Sequence, residues 1–417
     1  MSRLVRWTAA VGLAAAVITA CQEQLTSPAV CPELCPGGSP QVFDTLIPAV
    51  AGLDSSFPSA AEAATGGYVN RGQGTAVLLS SGFVASEDRA IYRFAPRSDQ
   101  ISVRDTLRTY TVDSALINLN LVGRDTTVHG LKLFLFRIPS TVDSTATFDQ
   151  IDPLLATPAL IDSILVPDTL RTGAVGAVLH GTALAQVALA GADSTLAIGL
   201  RMTADAGTGV RLGTLASSAA GTFTSYVTVD VPDTGSIKKQ TISRATAFNT
   251  FVTQNPILPV DSLLTVGSEP SSRALIRFGV SGGFLDSATI VRATLELTPV
   301  QPIYSLPGDL SFLQLLAVVG DIGAKSPVTT DPNFIRQDTL PVVQADTVQI
   351  DATAFVQLWK SSRERPQSVF LRIAPEAATF ARAVFFSTRS HAAADPTALV
   401  APRLRITYQR TFPFENP

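Results

Sequence analysis

The sequence predicts an all-β protein made of two tandem antiparallel β-sandwiches. Hydrophobic residues make up 46% of the 417 residues and charged residues 16%, a balance that supports large cores and argues against disorder. Valine, threonine and leucine are frequent, and glycine and proline interrupt the chain at short intervals, as in folds with many short strands. One strand pattern occurs twice, and this repetition indicates a duplicated unit.

The repeated strand covers residues 89–94 in the first copy and 273–278 in the second. Because side chains alternate between the faces of a strand, Phe94 and Phe278 lie on an apolar face that we expect to be buried. The other face is expected to meet solvent. Its arginines either form ion pairs and support loops or bind an anionic glycan through their forked donors, and we favour the structural role. These arginines are Arg89, Arg93, Arg273 and Arg277.

A second repeated pattern lies further along each copy. The motif Thr-Ala-x-x-Gln begins at Thr182 and at Thr353, and an arginine follows 19 residues later in both copies, at Arg201 and Arg372. We predict a short helix at this motif, and we expect Trp359 at its end to lie in the core. The other matched strands are 75–80 with 261–267, 113–121 with 291–297, and 131–138 with 311–318.

These matches divide the chain into segments. A stretch rich in Pro, Asp, Gly and Ser near residue 232 marks the junction, and each copy is within the size range of one all-β domain. The predicted segments are a signal peptide at 1–20, a lipidated cysteine and tether at 21–40, a first sandwich at 41–231, a linker at 232–240, a second sandwich at 241–411 and a tail at 412–417.

The N-terminus has the layout of an export signal. Arg3 and Arg6 precede an apolar stretch that is too short to span a membrane. The stretch ends at Cys21 and resembles a bacterial lipobox, which implies cleavage before this cysteine and a diacylglycerol on its sulfur. The alternative is an ordinary signal-peptidase site after Ala20. Gln22, where an aspartate would favour the inner membrane, points to the outer membrane, so we expect a lipid-anchored protein of the bacterial cell envelope.

Cys31 and Cys35 form a closely spaced pair within the predicted tether. An exported chain meets an oxidising compartment, where the pair either forms a disulfide or stays as free thiols. A zinc site needs two more ligands, and the histidines of the chain are all distant in sequence. We therefore expect no metal cofactor at this pair.

No complete catalytic site is visible in the sequence. The chain has no Gly-x-Ser-x-Gly motif, and His129, His180 and His391 lack the sequence neighbours of a catalytic triad. A group of aspartates is interpreted as solvated turns, with structural calcium as a minor alternative that lacks EF-hand spacing. Clusters of lysine and arginine are absent, which argues against a nucleic-acid partner. The aspartates are Asp149, Asp152, Asp162 and Asp168.

The second copy has short motifs at residues 273–278, 293–297, 356–359 and 402–408, together with Ser387, and in these it resembles the DNRLRE-type domain of exported bacterial proteins. The first copy departs from that pattern, with Ala188 in place of the tryptophan, and in the second copy Thr388 replaces the glutamate that follows the family's serine. The resemblance implies a jelly-roll sandwich and a relation to domains that in some cases bind acidic polysaccharide.

We therefore expect a non-enzymatic, lipid-anchored envelope protein that binds carbohydrate or another component of the cell envelope. The alternative is a structural or adhesive protein whose sheets contact a protein partner. A polysaccharide hydrolase or lyase is a third hypothesis, for which the sequence offers no catalytic site.

Overall fold

The computed structural model describes the chain from residue 42 to residue 410, with several gaps. The predicted signal peptide, tether and tail lie outside the described residues, and so do Cys21, Cys31, Cys35 and His391. The described residues are 42–58, 71–83, 86–187, 195–231, 236–254, 260, 262–267, 271–321, 328–341, 346–390 and 400–410.

The described residues are mainly antiparallel strands, which confirms the all-β prediction. The strands are β1 (Val42–Pro48), β2 (Ser55–Pro58), β3 (Ala76–Phe83), β4 (Ser86–Phe94), β5 (Gln100–Val103), β6 (Thr106–Thr109), β7 (Thr111–Arg124), β8 (Lys132–Ile138), β9 (Leu160–Leu165), β10 (Gly173–Leu179), β11 (Ala197–Thr203), β12 (Thr208–Gly213), β13 (Thr222–Val231), β14 (Ser236–Gln254), β15 (Leu263–Gly267), β16 (Ser272–Arg277), β17 (Ala288–Leu297), β18 (Phe312–Gly320), β19 (Thr329–Thr339), β20 (Val348–Asp351), β21 (Ser368–Ala374), β22 (Arg382–Phe386) and β23 (Arg403–Arg410).

The helices between these strands are short. The Thr-Ala-x-x-Gln motifs lie in two of them, as predicted. None of the helices in the described ranges is long and apolar enough to cross a membrane. They are α1 (Phe148–Ile151), α2 (Gly181–Val187), α3 (Gly282–Ser287) and α4 (Thr353–Ser361), and two 3₁₀ turns, Asp152–Leu154 and Thr157–Ala159, follow α1.

In the first unit, residues 71–254, the described strands form one ten-stranded sheet and a separate hairpin of β5 and β6. The first half of β14 pairs with β13, and pairing continues through β7 to β10. After a bulge near residue 247, the second half of β14 pairs with β4, and this sheet continues through β11 and β8 to β9. β3 and β12 pair with each other and connect to β4 and β7. Tyr92 and Phe94 lie in the core of this unit, as predicted for their face of β4.

The second unit, formed by residues 42–58 together with 262–410, encloses a separate core. One sheet has the order β1-β23-β17-β20, and the other has the order β19-β18-β21-β16-β15-β22 with β2 paired to β16. Phe278 and Trp359 both lie in this core, with ring centres 6.1 Å apart. The register of the repeated strand is the same in both units, because Ala90 lies opposite Leu200 and Ala274 lies opposite Leu371.

Strand pairing departs from the predicted segment boundaries at both ends of the first unit. Residues 42–58, which we predicted in the first sandwich, pair with strands of the second unit. Residues 236–254, which we predicted as linker and as the start of the second sandwich, form β14 of the first unit. Local alternation predicts that a segment is a strand, but it does not identify the sheet edge that the strand joins.

The two units also contact each other near β12. Arg211 of β12 forms an ion pair with Asp309, with 2.8 Å between Nε and Oδ2. Phe380 of the second unit packs edge-on against Phe83, with ring centres 5.2 Å apart. Both contacts join a strand of the first unit to a loop of the second.

Candidate functional site

A cleft of about 400 Å³ lies on the outer face of the first unit, between β8, β11 and the segment that follows α1. Its floor is formed by the side chains of β8 and β11 that point away from the core. Its wall is formed by the two 3₁₀ turns. The lining residues are Phe134, Phe136, Asp152, Pro153, Leu155, Ala156, Thr157, Leu160 and Arg201.

The wall packs closely on the sheet because β11 has a glycine at this point. A Cβ atom at Gly199 would lie 2.5 Å from Cδ2 of Leu155, so a larger residue would push the wall away from the strand. The equivalent position in the second unit is Phe370, which belongs to an outer apolar cluster with Leu316. The wall of the cleft therefore depends on a residue that differs between the two copies.

Arg201 distinguishes the cleft from the repeated framework around it. Within the described ranges, its guanidinium has no hydrogen bond or ion pair, and it lies 5.7 Å from the centre of the Phe136 ring. The equivalent residue of the second unit, Arg372, donates from Nε to Oε1 of Gln314 at 2.7 Å. The difference arises at the cross-strand neighbour, because Arg201 lies opposite Phe134, whereas Arg372 lies opposite Gln314.

Positive charge lies beside aromatic rings in this cleft. Nζ of Lys132 is 5.1 Å from the ring centre of Phe134, on the same face of β8. Asp152 supplies a carboxylate, and one of its oxygens accepts a hydrogen bond from Nε of Arg89 at 2.7 Å. Asp152 is therefore paired with Arg89, whereas Arg201 is a lining cation with no described hydrogen bond or ion pair, and Lys132 lies next to the cleft. Cations beside apolar rings suit a ligand that carries acidic or hydroxyl groups on an apolar ring, as sugars do.

In the first unit, the arginine face of β4 is covered, and the expectation that it meets solvent was wrong. Arg89 is 4% exposed, forms ion pairs with Asp152 and Glu87, and lies 4.9 Å from the ring centre of Phe148 in α1. Arg93 donates to backbone carbonyls of the segment before α1. That segment packs on this face through a separate apolar cluster, which the strand pattern alone did not indicate.

In the second unit, the equivalent arginines bind buried carboxylates. Arg273 is 7% exposed and donates from two nitrogens to Glu376, at 2.7 and 2.6 Å. Arg277 donates from two nitrogens to Asp321, at 2.6 and 2.7 Å. These contacts occupy the forked donors within the protein and favour the structural role of the repeated arginines.

Among the histidines and aspartates considered for catalysis, His129 and Asp168 lie close together. Nδ1 of His129 is 3.3 Å from Asp168, but both side chains are well exposed. His180 is exposed, and Asp162 accepts from the backbone nitrogen of its neighbour. Asp152 lies in the cleft and is bound by an arginine. Among the residues that the structure describes, no group of three or more His, Cys, Asp or Glu is placed to hold a metal ion.

Asp88 is a buried carboxylate that the sequence did not single out. Its oxygens accept hydrogen bonds from the hydroxyls of Ser80 and Thr253, at 2.5 and 2.6 Å. Burial raises the pKa of Asp88, although the two hydroxyls and the neighbouring Arg89 act in the opposite direction. Because Asp88 joins β3, β4 and β14, we assign it a structural role.

The repeated motif pairs Arg201 with Arg372 but places neither in a site, and it does not single out the residues around Arg201. The available signal was the stretch 132–138, which is apolar on both faces of its strand and therefore predicts an outer face that is covered or binds a ligand. A second signal was the aligned pair Phe134 and Gln314, because a glutamine can bind the matched arginine and a phenylalanine cannot accept its hydrogen bonds.

No protein-family model matches the chain, and no curated protein matches it in sequence.

Proposed function

We propose that the protein is a non-enzymatic, lipid-anchored component of the bacterial outer membrane, that its units are jelly-roll modules, and that the first unit binds carbohydrate in the cleft at β8 and β11. The observation that carries the binding proposal is Arg201, a cation without a protein partner in the described ranges, placed beside Phe134 and Phe136. The resemblance of the second copy to DNRLRE-type domains is part of the same proposal.

Duplication supplies an internal comparison for this proposal. The same strand position carries an arginine in both units, yet Gln314 holds Arg372 while Arg201 faces the cleft. A purely structural arginine would be expected to have a partner in both copies, because an unpaired guanidinium near apolar surface is unfavourable. A ligand with hydroxyl or acidic groups would supply the missing partner for Arg201.

Substitution of Arg201 by alanine is expected to weaken glycan binding by about 10- to 100-fold, because hydrogen bonds to a charged group contribute about 1.5–3 kcal/mol. The measurement is a glycan array on the mature protein, followed by titration of the best ligand. Arg372→Ala is the matched control and should bind the same glycans as the wild type. Equal binding by wild type and Arg201→Ala, or equal losses in both variants, would place the glycan site elsewhere.

Acylation of Cys21 is expected in the mature protein. The apolar stretch before it ends in Ile18-Thr19-Ala20, and buried acyl chains contribute about 0.8 kcal/mol per CH₂, enough for stable anchoring when several chains are attached. Mass spectrometry of the N-terminal peptide from membrane fractions measures this directly. A peptide that starts with unmodified Cys21 or with Gln22 would contradict the anchor.

A further inference from the structure

The carboxylate of Asp152 is only partly used within the protein. Its Oδ1 accepts a hydrogen bond from Nε of Arg89 at 2.7 Å, and no described residue donates to its Oδ2. The side chain is 36% exposed and belongs to the wall of the cleft. A carboxylate offers about four acceptor positions on its two oxygens, so Asp152 has capacity left for a donor that enters the cleft.

Arg89 holds this carboxylate in a fixed orientation. It is 4% exposed, and each of its three guanidinium nitrogens donates a hydrogen bond. Nε donates to Asp152, Nη1 donates to the carbonyl of Asp88 at 3.2 Å, and Nη2 donates to Glu87. The ring centre of Phe148 lies 4.9 Å from its Cζ. The guanidinium is therefore held from several directions, and the wall carboxylate bonded to it is held with it.

Arg201 supplies the opposite kind of group on the floor of the cleft. Its guanidinium is a donor with no hydrogen bond in the described ranges, whereas Asp152 is an acceptor with an oxygen to spare. The two side chains come from β11 and from the 3₁₀ turn that follows α1, and both line the cleft. A ligand that binds both must accept from a guanidinium and donate to a carboxylate. A sugar hydroxyl does both, because it has one donor and two acceptor positions.

The second unit uses its corresponding arginines internally. In its repeated strand, Arg273 donates to both oxygens of Glu376, whose side chain is 6% exposed. At the position that matches the arginine of the cleft, Arg372 donates to Gln314 at 2.7 Å. The acceptor and the donor are thus both available in the first unit and both engaged in the second, as expected if the two groups of the first unit serve one ligand.

We propose that Asp152 is a second ligand-binding residue of the cleft, that it accepts a hydrogen bond from a hydroxyl of the glycan, and that it selects neutral sugars over acidic ones. The proposal rests on carbohydrate binding at this cleft and adds the chemical class of the sugar. A carboxylate on the ligand would pair with Arg201, but it would share a small cleft with Asp152, and like charges at short range repel each other. Lys132 lies next to the cleft and is not among its lining residues. A neutral sugar binds both lining groups without this repulsion.

The test compares pairs of oligosaccharides that differ only at C6, which carries a hydroxyl in one member and is a carboxylate in the other. The pairs are oligomers of glucose and glucuronic acid, of galactose and galacturonic acid, and of mannose and mannuronic acid. Affinities of the full-length mature protein are measured by calorimetric titration. We expect the neutral member of the recognised pair to bind about 10-fold more tightly.

Asp152→Asn keeps the size of the side chain and removes its charge. It should weaken binding of the neutral member by about 10-fold, because a hydrogen bond to a charged acceptor is lost. Binding of the acidic member should be unchanged or tighter, because the repulsion is removed with the charge. The preference between the two members therefore disappears or reverses in this variant.

Glu87→Gln is the matched control. Glu87 binds the same arginine as Asp152 and is equally exposed, but it does not line the cleft, so this variant should keep the affinity and the preference of the wild type. Equal losses in the two variants would overturn the role of Asp152. Tighter binding of the acidic members by the wild type, if it is lost in Arg201→Ala, would also overturn that role and leave the cleft as a glycan site. If no oligosaccharide binds in a manner that depends on Arg201, carbohydrate binding at the cleft fails, and the role of Asp152 fails with it.

Discussion

Deletion of residues 42–58 is expected to unfold the second unit and to leave the first unit folded. The deletion removes the seven residues of β1 and the four of β2, and it exposes the edges of β23 and β16. Each lost backbone hydrogen bond contributes about 0.5–1.5 kcal/mol, and lost burial adds to this, so the sum is comparable with the about 5–15 kcal/mol that holds a domain folded. Hydrogen exchange should show loss of protection in β17 and β21, with β7 and β11 unchanged.

Two point substitutions serve as controls for this deletion. Asp54→Ala removes a buried carboxylate that holds Thr388 and should destabilise the second unit alone. Asp44→Ala removes an exposed carboxylate from the same segment and should have an effect below about 1 kcal/mol. Simultaneous loss of protection in both units would show that their cores are coupled.

The pairing of residues 42–58 with the second unit also implies that residues 241–411 expressed alone lack two strands of that unit. The second sandwich therefore cannot be studied as the predicted segment.

Substitution of Arg273 by alanine is expected to destabilise the second unit by about 3–5 kcal/mol, because it leaves a buried carboxylate without a partner. The side chain of Glu376 is 6% exposed, and both of its oxygens accept from Arg273. The effect is measured by thermal and denaturant unfolding of the full chain, at the transition in which the second unit unfolds. Arg273→Met combined with Glu376→Leu should recover much of the loss, because replacing both partners removes the unpaired charge.

The equivalent arginine of the first unit is the matched control. Arg89 binds Asp152 and Glu87, each of which is 36% exposed, so solvent can hydrate these carboxylates once the arginine is removed. Arg89→Ala should therefore cost clearly less than Arg273→Ala, with a contribution from lost packing on Phe148. Equal costs in the two units would mean that burial of the acidic partner does not decide the effect.

The carboxylate bound by Arg277 changes the expected comparison within the repeated strand of the second unit. An arginine face in solvent predicts that Arg277→Ala costs under about 1 kcal/mol, far less than Phe278→Ala. In the structure Arg277 binds Asp321, whose side chain is 7% exposed. Phe278 lies in the core as predicted. Both substitutions should therefore be strongly destabilising, because one opens a cavity and the other leaves a buried charge.

The sequence by itself determined the class of fold and much of its local structure. Alternation placed Phe94 and Phe278 in cores, because period-two patterns report which face of a strand is apolar. The repeated motifs placed helices at α2 and α4, because a matched pattern and spacing in two copies reports a common local structure. These features depend on residues that are close together in the chain.

Only the tertiary structure decided which strands are neighbours. The sequence of residues 42–58 does not indicate that they pair with the second unit, and that of residues 236–254 does not indicate that they pair with the first. The edge of a strand can pair with any complementary strand, and the alternation of apolar and polar residues is the same in either place. The sequence carries signals near the cleft but does not assemble it, because the cleft needs Gly199 beneath a distant wall and Phe134 opposite Arg201. Whether a matched arginine forms a hydrogen bond depends on the residue opposite it on the neighbouring strand, and that residue lies far away in sequence.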